Sequence, residues 1–304
     1  MTATICKSFA PAGQEAQMRE FIQKQMTEIF DDVQTDVLGN LICKTGDAGR
    51  LCIECGMDSC GVMIAAKEDG KAFITGVGAI TADYLIGKKI IFANDVFGIV
   101  RYDGKTPSEA KLSDLYLETE TDKLGIGEFG VVESDYCESR DKMFANGLSN
   151  RIGIAAVVEA LKKMPKPENL CVVFSAQKRL EARGIQTFLG VREFEKVITV
   201  DSIGCGNAVK SGRGCSLVVV DKAGVCDSEL RTQLENLIKD EKIEAVAAVT
   251  DEDLCMSDIS TAGKGTACAA VAIPVENKGK SFECVKKSDF CAAVNLLTKA
   301  IETL

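Results

Sequence analysis

A chain of 304 residues with 46% apolar content can build one large or two medium domains around an ample core. Its 45 acids against 36 bases leave a net charge of -9, which disfavours nucleic acid and anionic membrane as general partners. It contains no histidine, which excludes any mechanism or metal site that rests on imidazole.

From the N-terminus, Gly13 to Phe30 carries Met18, Phe21, Ile22, Met26, Ile29 and Phe30 near helical spacing, and predicts an amphipathic helix. Two short strands follow, joined by a turn at Leu38-Gly39-Asn40. Arg50 to Gly56 (RLCIECG) reads as a third strand, ending in Gly56-Met57-Asp58. From about 65 to 146 the texture changes to short β-rich pieces between Gly and Asp turns, as in FITGVGA and EFGVVESDY. This segment reads as a small all-β, barrel-like unit inserted into an α/β body formed by 1–64 and 147–304.

Beyond it, helices and strands alternate. Asn150 to Met164 predicts a helix, Leu170 to Ala176 a buried parallel strand, and Glu181 to Leu189 a helix. Lys196 to Val200 predicts a strand ending at Asp201, Cys215 to Val220 a strand, and Asp227 to Asp240 a helix with Asp227 or Ser228 as N-cap. Glu244 to Val249 and Thr266 to Ile273 read as strands, and Lys287 to Thr303 as the last helix. The expected fold class is α/β, a mixed sheet with helices on both faces, interrupted by the small all-β unit.

No apolar run reaches the roughly 20 residues a bilayer span needs. The first residues lack the layout of a signal peptide, so a cytoplasmic protein is expected. The 14 cysteines are scattered through predicted strands and helices, and are expected to be reduced core thiols rather than disulfides.

Strand ends of a parallel sheet open into the crevice where α/β proteins place their chemistry. Here the strand ending at Ser175-Ala176-Gln177 delivers two cations, Lys178 and Arg179. The strings Phe9 to Gly13, Asp36 to Asn40, Gly56 to Gly61, Gly147 to Gly153, Gln177 with Arg183-Gly184, Val200-Asp201 and Ile273-Pro274 stand in an order that resembles one family. It is the co-catalytic zinc aminopeptidases, which include glutamyl aminopeptidase, the tetrahedral aminopeptidases and the proteins once called cellulase M. The resemblance implies a zinc-exopeptidase-like α/β domain interrupted by a small β-barrel-like domain.

It also implies chemistry: two zinc or cobalt ions sharing a bridging carboxylate and a water, with a glutamate to move the proton. Carried across position by position, the first zinc histidine falls on Gly56, with Asp58 as the acid that orients it. The bridging aspartate falls on Ser149 and its neighbour on Asn150. The general-base glutamate falls on Lys178, and a metal-binding glutamate on Arg179. The last histidine falls on or near Gly279, and only Asp201 keeps a ligand. Glycine offers no ligand atom, neutral serine is a poor one, and cations repel the metal.

The resulting expectation is a catalytically silent member of the family, with no metal, no cofactor and no catalytic residue. In it Lys178 or Arg179 occupies the metal space and pairs with Asp201 and Asp58, two charges of each sign. The role left is binding of a peptide or small molecule, or assembly. The resemblance implies a homo-oligomer, at least a dimer and up to a dodecamer. The alternative is a residual or retooled hydrolase, of aminopeptidase or glucanase type, that uses Lys178 or a cysteine.

Three further features carry weaker signals. Cys52, Cys55 and Cys60 near Gly56, with Cys205 beyond Asp201, lack the second CxxC pair or histidine of a zinc site. The glycine-rich basic loop 204–214 (GCGNAVKSGRG) lacks a Walker string and is expected to be a plain loop. Ser257-Asp258 has no base to activate the serine; the resemblance places the corresponding loop near the family's substrate cleft, and so implies a binding role rather than a catalytic one.

Overall fold

The computed structural model describes residues 1–304 apart from Asn207, which belongs to the glycine-rich loop and lies outside the described residues. The chain opens with helices α1 (Thr2–Lys7) and α2 (Ala16–Met26), then strands β1 (Asp32–Thr35), β2 (Leu41–Lys44) and β3 (Leu51–Gly56). Next come β4 (Gly61–Glu68), β5 (Lys71–Val77), helix α3 (Ala82–Leu85), β6 (Lys89–Phe92), β7 (Phe97–Tyr102), β8 (Leu115–Thr119), β9 (Phe129–Val132), β10 (Cys137–Glu138) and β11 (Lys142–Ala145). The second half contains α4 (Ile152–Lys163), β12 (Leu170–Ser175), α5 (Arg183–Leu189), β13 (Lys196–Gly204), β14 (Cys215–Val220), α6 (Ser228–Asp240) and β15 (Ala245–Val249). It closes with α7 (Met256–Ser260), β16 (Ala267–Val275), β17 (Glu283–Lys286) and α8 (Lys287–Thr303).

The body is a mixed eight-stranded sheet in the order β1-β2-β12-β3-β13-β16-β14-β15. Its centre, β12-β3-β13-β16, is parallel, and these strands are buried nearly throughout. Continuous apolar runs are what a sheet covered on both faces requires. Helices α4 and α8 pack on each other and on the sheet, while α5 and α7 pack together over β12 and β16. The expected α/β class with helices on both faces is what the chain forms.

The β-rich segment closes into a six-stranded barrel, β4-β5-β8-β7-β6-β9. It has its own core, which includes Val62, Ile64, Ile74, Leu85, Ile90, Val100 and Leu117. Its strands run from Gly61 to Val132, against an expected inserted segment of 65–146. Strand β11 pairs instead with β17 beside the sheet.

The first predicted helix, Gly13 to Phe30, is shorter in the structure, because Glu15 is its N-cap and Thr27 its C-cap. Glu15 turns inward, where its carboxylate accepts the Gly13 and Gln177 amides. Strand β13 runs three residues past Asp201, drawn on by parallel pairing of Ser202, Ile203 and Gly204 with Ile273, Pro274 and Val275. Helix α6 starts where expected: Asp227 accepts the Glu229 and Leu230 amides, as an N-cap should.

Candidate functional site

Three adjacent parallel strands aim their carboxyl ends at one edge of the sheet. Thr199 on β13 lies beside Glu54 on β3, and Gly56 on β3 lies beside Ser175 on β12. Alternation then places Glu54 and Gly56 on the same face as Thr199, Asp201 and Ser175. The loop after β12 crosses over this edge and drops Lys178 onto it. The turn begins at Gln177, a non-glycine residue in the left-handed region with φ 52°.

Lys178 is 4% exposed. Its Nζ lies 2.8 Å from Glu54 Oε2, 2.9 Å from Thr199 Oγ1 and 3.4 Å from Asp201 Oδ2. Glu54 is fully saturated, since Ser175 Oγ donates to Oε1 at 2.5 Å and Thr199 Oγ1 to Oε2 at 2.6 Å. Burial works against the Lys178 charge, but Glu54 and Asp201 outweigh it and hold the ammonium well above its ordinary titration range. Arg179 adds a second cation, with Nη2 donating to Asp201 Oδ1 at 3.1 Å. Asp201 is pressed upward by burial, yet Arg179 and Lys178 prevail and hold its carboxyl well below the usual carboxylate range.

Asp58 does not pair with the two side chains as expected. Its carboxylate accepts the backbone amides of Lys178 at 2.9 Å and of Arg179 at 2.7 Å. The reason is reach: Asp58 lies beneath the loop backbone, while both side chains extend forward to the sheet edge. Glu54 takes the place assigned to Asp58. It was missed in the sequence, although a lone glutamate inside the apolar strand LCIECG signals a cation partner, because a buried carboxylate is rarely left unpaired.

The other expected site residues frame the same edge. Gly56 leaves room for the lysine stem, since a methyl group there would lie 2.6 Å from Lys178 Cδ and 2.8 Å from its Cβ. Ser149 donates its amide and hydroxyl to Glu283, and the Gly279 amide donates to the same carboxylate at 2.7 Å. Asn150 lines the adjoining cavity with Ser149 and Gly279. Arg151 is 4% exposed and donates to the Met57 and Ser8 carbonyls and to Ser59 Oγ.

The cysteines do not converge. All 14 are free thiols, and burial pushes the Cys55 thiol well up. The one group of possible ligands within 4.8 Å of one another among the described residues is Asp253, Cys255 and Asp258. There Asp253 accepts the Cys255 amide, Gln186 donates to Asp258, and burial raises the Cys255 thiol. The basic loop is fastened to α8, where Asp289 accepts the Gly212 and Gly214 amides.

The profile of the M42 glutamyl aminopeptidases matches residues 39–296 of this sequence. The chain belongs to the M42 glutamyl aminopeptidase family. A candidate aminopeptidase of Acetivibrio thermocellus is 29% identical over 311 residues, covering 95% of this chain and 94% of its own. The fold is that of aminopeptidase APDkam598 from Desulfurococcus kamchatkensis, with a TM-score of 0.92 at 18% identity over 100% of this chain and 94% of that one. It is equally that of the Pyrococcus horikoshii TET1 peptidase, which assembles into a tetrahedron or a large octahedral shell. The TM-score there is 0.90 at 20% identity, over 99% of this chain and 98% of that one.

Membership corrects one expectation. Aminopeptidases of the M42 family are metal-dependent, through zinc or cobalt, so a cofactor belongs to the family, against the expectation of none drawn from the replaced ligand positions. The donors at the carried-over positions nevertheless do not fit a metal pair. Asp201 Oδ1 accepts from Arg179 and from the Ser202 amide, and its Oδ2 faces the Lys178 ammonium. The Ser149 hydroxyl is spent on Glu283, and the Lys178 ammonium stands where the resemblance placed the general base. The ammonium and the guanidinium already neutralise Glu54 and Asp201 and would repel a dication brought beside them.

Proposed function

We propose that this chain is an M42-family member in which a lysine-arginine-carboxylate cluster stands where relatives carry out hydrolysis, leaving binding or assembly as its role. The observation that carries the reading is Lys178 Nζ, 2.8 Å from Glu54 Oε2 and 3.4 Å from Asp201 Oδ2. Residues 65–146 act in this reading as an inserted unit. Gly56, Asp58, Ser149, Asn150, Lys178, Arg179, Asp201 and Gly279 are the remodelled site.

A retooled hydrolase finds less support. A lysine acts as base or nucleophile only when neutral, and the carboxylates around Lys178 favour its charged form. The buried thiols are shifted away from thiolate, so nucleophilic cysteine chemistry is likewise disfavoured. Free thiols throughout agree with a reducing, cytoplasmic setting. Likeness to a shell-forming peptidase favours a closed homo-oligomer.

The test is hydrolysis of L-leucine p-nitroanilide and of a leucine-led tripeptide with added cobalt or zinc. The expected result is no turnover above the metal-buffer blank. Turnover that disappears in an Asp201→Asn or Lys178→Met protein overturns the reading.

A further inference from the structure

We propose that the cavity between the barrel and the sheet edge binds a small carboxylate that carries an apolar body. The proposal deepens the binding role above and rests on it, because it needs the Arg179 guanidinium at the sheet edge. The cavity is about 260 Å³, just below the roughly 300–1,000 Å³ of drug-sized sites, which suits a compact metabolite. Ile80 and Val132 of the barrel unit line one part of it, while Arg151 and Arg179 line another.

The Arg179 guanidinium is short of acceptors, and the Arg151 guanidinium is short of a counter-charge. Asp201 takes only one prong of Arg179, whose Nε is buried and donates to nothing. Arg151 is buried among neutral partners, the Met57 and Ser8 carbonyls and the Ser59 hydroxyl, with no carboxylate within ion-pair reach among the described residues. Burial lowers its pKa to about 10, and the charge of Arg179 adds to that lowering. A buried and a half-buried guanidinium lining one cavity favour an anion between them. The one acid in the cavity lining, Glu283, is already saturated by Ser149 and Gly279. Lys7 and Lys278 add further positive charge to the lining, so an anion is favoured, and its shape rather than its charge selects among anions. A carboxylate matches the planar fork of a guanidinium, and the barrel-side residues receive the apolar part.

Calorimetric titration with N-acetyl-L-leucine, N-acetyl-L-leucinamide and inorganic phosphate tests this. The acid is expected to bind at least tenfold more tightly than the amide or phosphate. Arg179→Gln is expected to weaken the acid at least tenfold. Ala79→Trp, a change at an exposed cavity-lining residue that leaves the core untouched, is expected to block it. The proposal is overturned if the acid does not bind, if amide or phosphate binds as tightly, or if Ala79→Trp leaves the acid's affinity unchanged. Peptide hydrolysis is scored separately, so turnover would overturn the reading above while the titration still decides this one.

Discussion

At the scale of single residues, Gly56 and Lys178 are one device. The glycine carries no Cβ, and the lysine stem occupies the space a side chain would need, at 2.6 Å from an added methyl group. Strain cannot be relieved at the far end of the lysine, because the close contacts include its Cβ and its Nζ is held by Glu54, Thr199 and Asp201. Gly56→Ala is therefore expected to destabilise the protein by about 1–3 kcal/mol, the usual cost of overpacking a core. Urea unfolding followed by circular dichroism measures it, since the chain has no tryptophan. The loss should shrink in a Lys178→Ala background, and equal losses in both backgrounds would show that the two residues are not coupled.

At the scale of elements, Asp58 ties the loop after β3 to the loop after β12. It holds two backbone amides while 0% exposed, and burial raises its pKa from 3.8 to about 6. The folded state then keeps this proton at a pH where the unfolded chain has released it. Stability from this group is present below pH 4 and is lost as pH rises through about 6. At about 1.4 kcal/mol per pKa unit, the change is on the order of 3 kcal/mol between pH 4 and pH 7. Asp201, whose carboxyl is depressed, acts in the opposite sense and only at more acid pH. Urea midpoints of the wild type should fall relative to Asp58→Asn as pH rises from 4.5 to 7. Parallel profiles would remove Asp58 as the source.

Elements were also where the sequence spoke most clearly. The buried strands Leu51–Gly56, Leu170–Ser175 and Cys215–Val220 show as apolar runs, and α8 shows its full helical period. Strand β17 and helix α7 left no signal, being only four and five residues long. Their form comes from neighbours: β17 from pairing with β11, and α7 from packing on α5 and β16.

At the scale of the whole molecule, a barrel with its own core sits against a sheet whose carboxyl edge faces the cavity between them. The Pyrococcus horikoshii protein of this fold can assemble into a tetrahedron or a large octahedral shell, and the homo-oligomer proposed above for the present chain would hold at least two copies. Light scattering on the purified protein checks this, and a strictly monomeric mass at micromolar concentration would refute it. Exposed Phe97 and Ile126 on the barrel unit offer apolar surface for such contacts.

Sequence alone determined the α/β class, the β-rich insertion and the exclusion of imidazole, because periodicity and composition are local properties. It also pointed to Lys178 and Arg179 as the odd pair at a strand end. Only the tertiary structure decided their partners. Glu54 and Thr199 lie 124 and 21 positions from Lys178 along the chain and meet it solely through parallel strand register. Asp58, assigned by sequence to the side chains, turned out to bind the backbone, because which end of a loop reaches a carboxylate is set by how the loop folds over the sheet.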